Sequence, residues 1–199
     1  MATVMQDTIK QQIQTSAGIL GAMASDAALH ASIERIAQAC IAALNAGHKL
    51  LFMGNGGSAA DAQHLAGEMV SRFAFDRPGL PAFALTTDTS VMTAIGNDYG
   101  YVHLFARQVQ AVGRPGDVLF GISTSGKSPN ILAALEVARK QGLVTVGMTG
   151  NQGAAITRTV DHCIEIPSAC TPNIQEGHIV CGHLVCGLIE SALFEPPKA

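Results

Sequence analysis

The sequence predicts an α/β fold in which a parallel sheet is covered by helices on both faces. Short, continuous apolar runs alternate with longer stretches of helical periodicity, and each run is bounded by Gly, Asp, Ser or Thr. Composition agrees: of 199 residues, 48% are apolar, only 14% are charged and 21 are Gly, which suits a buried sheet with Gly-bearing turns.

The elements follow in order. Apolar residues at Ile9, Ile13, Ala17 and Leu20, then at Leu29, Ile33, Ile36, Cys40 and Leu44, predict two helices over about Gln6–Ala46. Ser25-Asp26 supplies the break and N-cap between them. The strands are then KLLFM (49–53), PAFALT (81–86), DVLFGI (117–122), LVTVGM (143–148) and HCIEI (162–166). Helical segments lie at about Ala59–Phe73, Tyr101–Val112 and Ile131–Gln141, with a short piece near Ala154–Thr157. A long final helix runs from about Ile174 to Phe194. No repeat, low-complexity tract or linker interrupts this series, so one domain is expected.

Several function classes fall away. A net charge of −3 with no run of Lys or Arg excludes nucleic acid as the main partner. The N-terminal MATVMQDTIKQQIQ has no apolar h-region, and IVCGHLVCGLI, the most apolar segment, is too short to span a membrane. The cysteines Cys40, Cys163, Cys170, Cys181 and Cys186 are odd in number and lack C-x-x-C spacing, which predicts reduced, mostly buried thiols in a cytoplasmic protein. So few charges also leave apolar helix surface for other subunits to cover.

In open parallel sheets ligands gather at the carboxyl ends of the strands, so the loops there carry the chemistry. The first strand leads into GNGGSAADAQH (54–64), where Gly54, Gly56 and Gly57 permit close backbone approach and Ser58 sits where a helix begins. The third leads into STSGKSPN (123–130), whose hydroxyls and ammonium surround Gly126. Two neighbouring loops rich in hydroxyls and helix-N-terminal amides describe a phosphate cradle better than two ordinary capping turns. GISTSGKS (121–128) also matches the nucleotide-binding pattern G-x-x-x-x-G-K-S. That reading needs a strand-terminal magnesium aspartate, and Asp88 stands too far beyond its apolar run. Pro129 also interrupts what should be an established helix.

His64 and Glu68 lie four apart, hence on one helical face, and the last helix carries Gln175 and, two turns on, His183. Together they suit proton transfer at neutral pH or a divalent metal held through N and O donors. Singly, His-x-x-x-Glu is a common exposed pair and a lone His in an apolar helix a common core residue.

GNGGSAADAQHLAGE, AIGNDYG, GDVLFGISTSGKSPN and IQEGHIVCGHLVCGLIE together closely resemble the phosphoheptose isomerases, which carry the sugar-isomerase (SIS) fold. The resemblance implies a three-layer α/β/α sandwich on a five-stranded parallel sheet. It implies two preceding helices (about 1–46) used in oligomerisation, a core over about 48–195, and a homotetramer with active sites between subunits. It assigns Ser58, Ser123, Thr124, Ser125 and Ser128 to the phosphate. It assigns Asn55, Gly56, Gly57, Glu68, Asn97, Asp98 and Gln175 to the sugar, and Glu68 with His183 to proton transfer. Some members hold zinc, one ion per subunit, through residues matching His64, Glu68, Gln175 and His183; no nucleotide is implied. The reaction is isomerisation of sedoheptulose 7-phosphate to D-glycero-D-manno-heptose 7-phosphate, early in lipopolysaccharide heptose synthesis. Two alternatives accompany it: an isomerase of another sugar phosphate, and a non-catalytic relative that binds the replication initiator. The latter proteins do not keep the acid/base pair that Glu68 and His183 provide. Two departures stand out: Lys127 replaces a common Asn, and Ser168-Ala169-Cys170-Thr171-Pro172 lacks the acidic residue that often precedes the Gln.

Overall fold

Five short strands, each followed by a chain segment long enough to cross back over the sheet, leave one arrangement open: all-parallel pairing with crossovers on both faces. A computed structural model describes residues 2–195 and has this arrangement. The elements are α1 (Ala2–Ala24), α2 (Ala27–Asn45), β1 (Leu50–Gly54), α3 (Gly57–Val70), β2 (Ala82–Ala84), α4 (Thr89–Tyr99), α5 (Leu104–Val112), β3 (Val118–Ile122), α6 (Pro129–Lys140), β4 (Val144–Gly150), α7 (Ala154–Thr157), β5 (His162–Ile166) and α8 (Thr171–Leu193). The strands pair in the order β2-β1-β3-β4-β5, every pair parallel.

Side chains alternate across the sheet and build two cores. Leu50, Phe52, Val118, Phe120 and Val146 face α2, α3 and α8, where Ile36, Leu65 and Cys181 are buried against them. Leu51, Met53 and Leu119 face the opposite way, toward Phe105 and Val109 of α5 and Ile131 and Leu135 of α6. The result is the expected three-layer sandwich. Cys40, Cys181 and Cys186 are buried and unpaired, so the last two are packing residues of α8.

Several boundaries differ from expectation; α3 ends at Val70 and α5 starts at Leu104, each about a turn short of the expected segment. PAFALT yields only a three-residue edge strand: Pro81 has no N–H to give, though its carbonyl accepts from Leu50 N at 3.0 Å, and the outer neighbour is missing. α4 was not expected; Asp88 caps it by accepting from Val91 N at 2.9 Å. α8 starts a turn early, because Pro172 is well placed in a first turn. Among the described residues no helix is long and apolar enough to cross a membrane.

Candidate active site

The strand order reverses between β1 and β3, so the loops after these two strands flank the crevice where such sheets bind ligands. GNGGS and STSGKS are those loops. After β1, Gly56 takes φ +57° and opens α3; a Cβ on Gly54 would overlap the backbone of Ser58, which is buried beneath the turn. After β3, Gly126 (φ +64°) lies so close to Gly153 that a Cβ there would collide with it. The hydroxyls of Ser123 and Ser128 meet at 3.0 Å, and Ser125 Oγ accepts from Lys127 N at 3.2 Å. Thr124, Ser125 and Lys127 face Gln152, Ser168 and Thr171 across a cavity of about 110 Å3. Asp88 lies beyond the end of β2 and caps α4, so it does not close an apolar strand as the nucleotide-loop pattern requires.

The two loops are tied to each other by a pair that the sequence did not disclose. Asn55 and Asn130 exchange amide hydrogen bonds, each at 2.9 Å, and Tyr101 donates its hydroxyl to Asn55 Oδ1, also at 2.9 Å. Asn130 is buried at the start of α6, two residues past Ser128; its place just inside a helix after a phosphate-type loop was the available signal. The Asn55 amide is therefore held in one position by Asn130 and Tyr101.

The second part of the site lies between α3 and α8. His64 Nε2 stands 3.2 Å from Glu68 Oε1 and 2.7 Å from His183 Nε2, and one ligand atom from each of the three falls within a 4.8 Å cluster. The i,i+4 spacing brings the first two together, and the crossing of α8 over α3 delivers the third. At this crossing Gly182 fits against Leu65, which a Cβ would strike. Phe73 closes one side, its ring centroid 5.6 Å from that of His183. Two imidazoles and a carboxylate form a donor set that divalent zinc accepts while keeping a position free. Gln175 sits upstream on α8, its carboxamide against Gly57 at the start of α3. Asn97 and Asp98 occupy the exposed last turn of α4, Asn97 Nδ2 donating to Asp98 Oδ1 at 2.8 Å.

Sequence reasoning also missed a buried ion pair beside this cluster. Arg77 Nε donates to Glu190 Oε1 at 3.0 Å with both side chains 1% exposed. Burial alone would raise the Glu190 pKa, but the N–H groups of Phe73 and Ala74 and the guanidinium outweigh it and hold the carboxyl below its ordinary range.

Comparison with known proteins decides the family. The SIS domain model matches residues 15–150. Over 186 residues, 94% of each chain, the sequence is 60% identical to the phosphoheptose isomerase of Burkholderia pseudomallei (strain 1710b). The chain belongs to the phosphoheptose isomerases of the SIS-domain family. Its fold matches that of the phosphoheptose isomerase from Neisseria gonorrhoeae with a TM-score of 0.88 at 39% identity, over 94% of this chain and 99% of that one. The Francisella tularensis phosphoheptose isomerase gives 0.89 at 37%, over 94% and 98%. Within this isomerase frame the two departures have places. Lys127 is exposed at the rim of the hydroxyl-lined cavity. Cys170 is an exposed N-cap whose N–H bonds Ser168 Oγ at 3.1 Å while its thiol caps nothing.

Proposed function

We propose that this isomerase interconverts sedoheptulose 7-phosphate and D-glycero-D-manno-heptose 7-phosphate, at an early stage of lipopolysaccharide heptose synthesis. The observation that carries the reading is the meeting of Glu68 with His64 and His183, in a chain whose β3 loop also builds a hydroxyl-lined crevice. Ser58, Ser123, Thr124, Ser125 and Ser128, with the α6 N-terminal amides, take the phosphate. Asn55, Gly56, Gly57, Asn97, Asp98 and Gln175 hold the sugar. Glu68 removes a proton from C1 of the open-chain ketose; the C–H electrons form the C1=C2 bond and the C2 carbonyl oxygen gains the charge of an enediolate. The same proton returns to C2, while His183 gives a proton to O2 and accepts the one from O1, leaving an aldehyde at C1. The donor set fits zinc, which His64, Glu68 and His183 would hold; the family resemblance adds Gln175, whose carboxamide lies against Gly57 at the start of α3. When bound, the ion supplies Lewis-acid stabilisation to a developing oxyanion.

The enzyme works as a homotetramer with active sites between subunits and α1 and α2 in the interfaces. Ile9 and Ile13 on α1 and Leu184 and Leu188 on α8, all exposed in the single chain, support this. Five unpaired cysteines support a cytoplasmic setting. A coupled assay with sedoheptulose 7-phosphate, run with and without chelator beside metal analysis, is the test. Absence of conversion by the metal-replete protein would refute the reading; initiator capture in its place would favour the non-catalytic alternative.

A further inference from the structure

The His64–Glu68–His183 cluster is divided between two helices, so it exists only while α3 and α8 keep their register. We propose that the buried Arg77–Glu190 pair is the clasp that sets this register, which makes both of them positioning residues for the cluster; the inference rests on the isomerase reading above. The clasp grips α3 at the cluster itself and α8 two turns beyond it. The last carbonyls of α3 have no partner within the helix. Arg77 Nη2 donates to Glu68 O at 2.8 Å and Nη1 to Met69 O at 2.6 Å, so the guanidinium holds the peptide that bears the cluster carboxylate.

Glu190 lies seven residues after His183 on α8, two turns away on the same face. Beyond Arg77, its carboxylate accepts from Phe73 N at 2.9 Å and Ala74 N at 2.7 Å. That fixes the chain leaving α3 and seats the Phe73 ring against His183. The cluster is thus bracketed, with the Gly182–Leu65 contact on one side and the clasp on the other. Two charges this deeply buried persist only as a bonded pair. Every remaining bond that this pair makes goes to α3 or to the segment 71–78 that carries Phe73.

The experiment compares wild type with Glu190→Gln, which keeps the volume and removes the charge. Turnover of sedoheptulose 7-phosphate and zinc affinity, by competition with a chromogenic chelator, are measured well below the unfolding midpoint. The expected result is a kcat lowered on the order of 10–100-fold with KM little changed, and zinc binding weakened by a similar factor. A lower unfolding midpoint, with kcat and zinc affinity both within about twofold of wild type, would overturn the proposal. If Glu190→Gln does not fold, Arg77→Lys is judged by the same criteria, since it keeps the buried charge and removes the forked bonds to Glu68 O and Met69 O. Should wild type turn over no sedoheptulose 7-phosphate, the functional reading fails, while the zinc comparison still decides the clasp.

Discussion

The two ends of the sheet use similar polar side chains in opposite ways. At the amino ends, buried Asp117 accepts from Lys49 N, Lys49 Nζ and Arg114 N at 3.1, 2.6 and 2.7 Å. Asp161 Oδ2 accepts from both the N–H and the hydroxyl of Thr145, at 2.8 and 2.7 Å. Asp117 is engaged through both oxygens and Asp161 through Oδ2, and both join strand starts to neighbouring loops. At the carboxyl ends, hydroxyl faces hydroxyl in Ser123 and Ser128, and where α8 crosses α3 imidazole faces imidazole in His64 and His183. Glu68 has one ion-pair partner among the described residues, His64. Groups that meet their own kind gain little from the fold and retain their capacity for a ligand. Carboxylates engaged by backbone and ammonium donors mark the structural end, and hydroxyls left to each other mark the chemical one.

The sharpest way to break this contrast is Glu68→Gln. The substitution keeps size and helix propensity, removes the base, and should lower kcat by about 1,000-fold or more with little change in unfolding midpoint. Steady-state kinetics beside thermal melting checks it; substantial residual turnover would take the proton shuttle away from Glu68.

This contrast was only partly legible beforehand. β1 and β3 were plain because every residue in them is buried, and burial on both faces writes a continuous apolar run. α4 was not, because none of its residues is buried and so no apolar stripe marks it. Glu68 and His64 were legible as a pair through helical spacing. Their meeting with His183 depends on a crossing between residues 119 apart, which spacing alone only permits. The Arg77–Glu190 pair left no local signature: its members are 113 residues apart, and Asp76-Arg77-Pro78-Gly79 reads as an ordinary turn. Long-range polar pairing is set by the packed layers, and a linear pattern does not encode it.

The converse substitution is Asp117→Ala. It strands Lys49 and two backbone donors at the amino end, and should cost about 3 kcal/mol of unfolding free energy in urea while leaving kcat/KM unchanged. A comparable loss of activity in the folded variant would blur the division between the two ends.

His178 on α8, buried with neither ring nitrogen hydrogen-bonded among the described residues, tests the effect of burial through pH. Burial pushes its imidazole down to about 4 from an ordinary 6.5, so the native ring stays neutral where the unfolded one takes a proton. Its contribution to stability is complete above pH 6.5 and is lost as pH falls from there toward 4, by at most roughly 3 kcal/mol. His178→Leu should flatten that part of the acid limb in urea titrations relative to wild type; an unchanged slope would show that the ring is not the group responsible.

The smallest effect belongs to Lys127, whose ammonium stands in solvent at the cavity rim. A charge a few ångströms from a phosphate in water contributes only about 1 kcal/mol, and salt screens it. Lys127→Asn should therefore raise KM for the sugar phosphate by roughly three- to fivefold at low ionic strength, with kcat unchanged and the difference shrinking as salt is added. A nucleotide loop would behave otherwise, because its lysine is integral to phosphate binding. Wild type would then bind ATP with magnesium and the variant would not. Titration of both proteins with ATP separates the two expectations, and the hydroxyl cradle predicts that neither binds it.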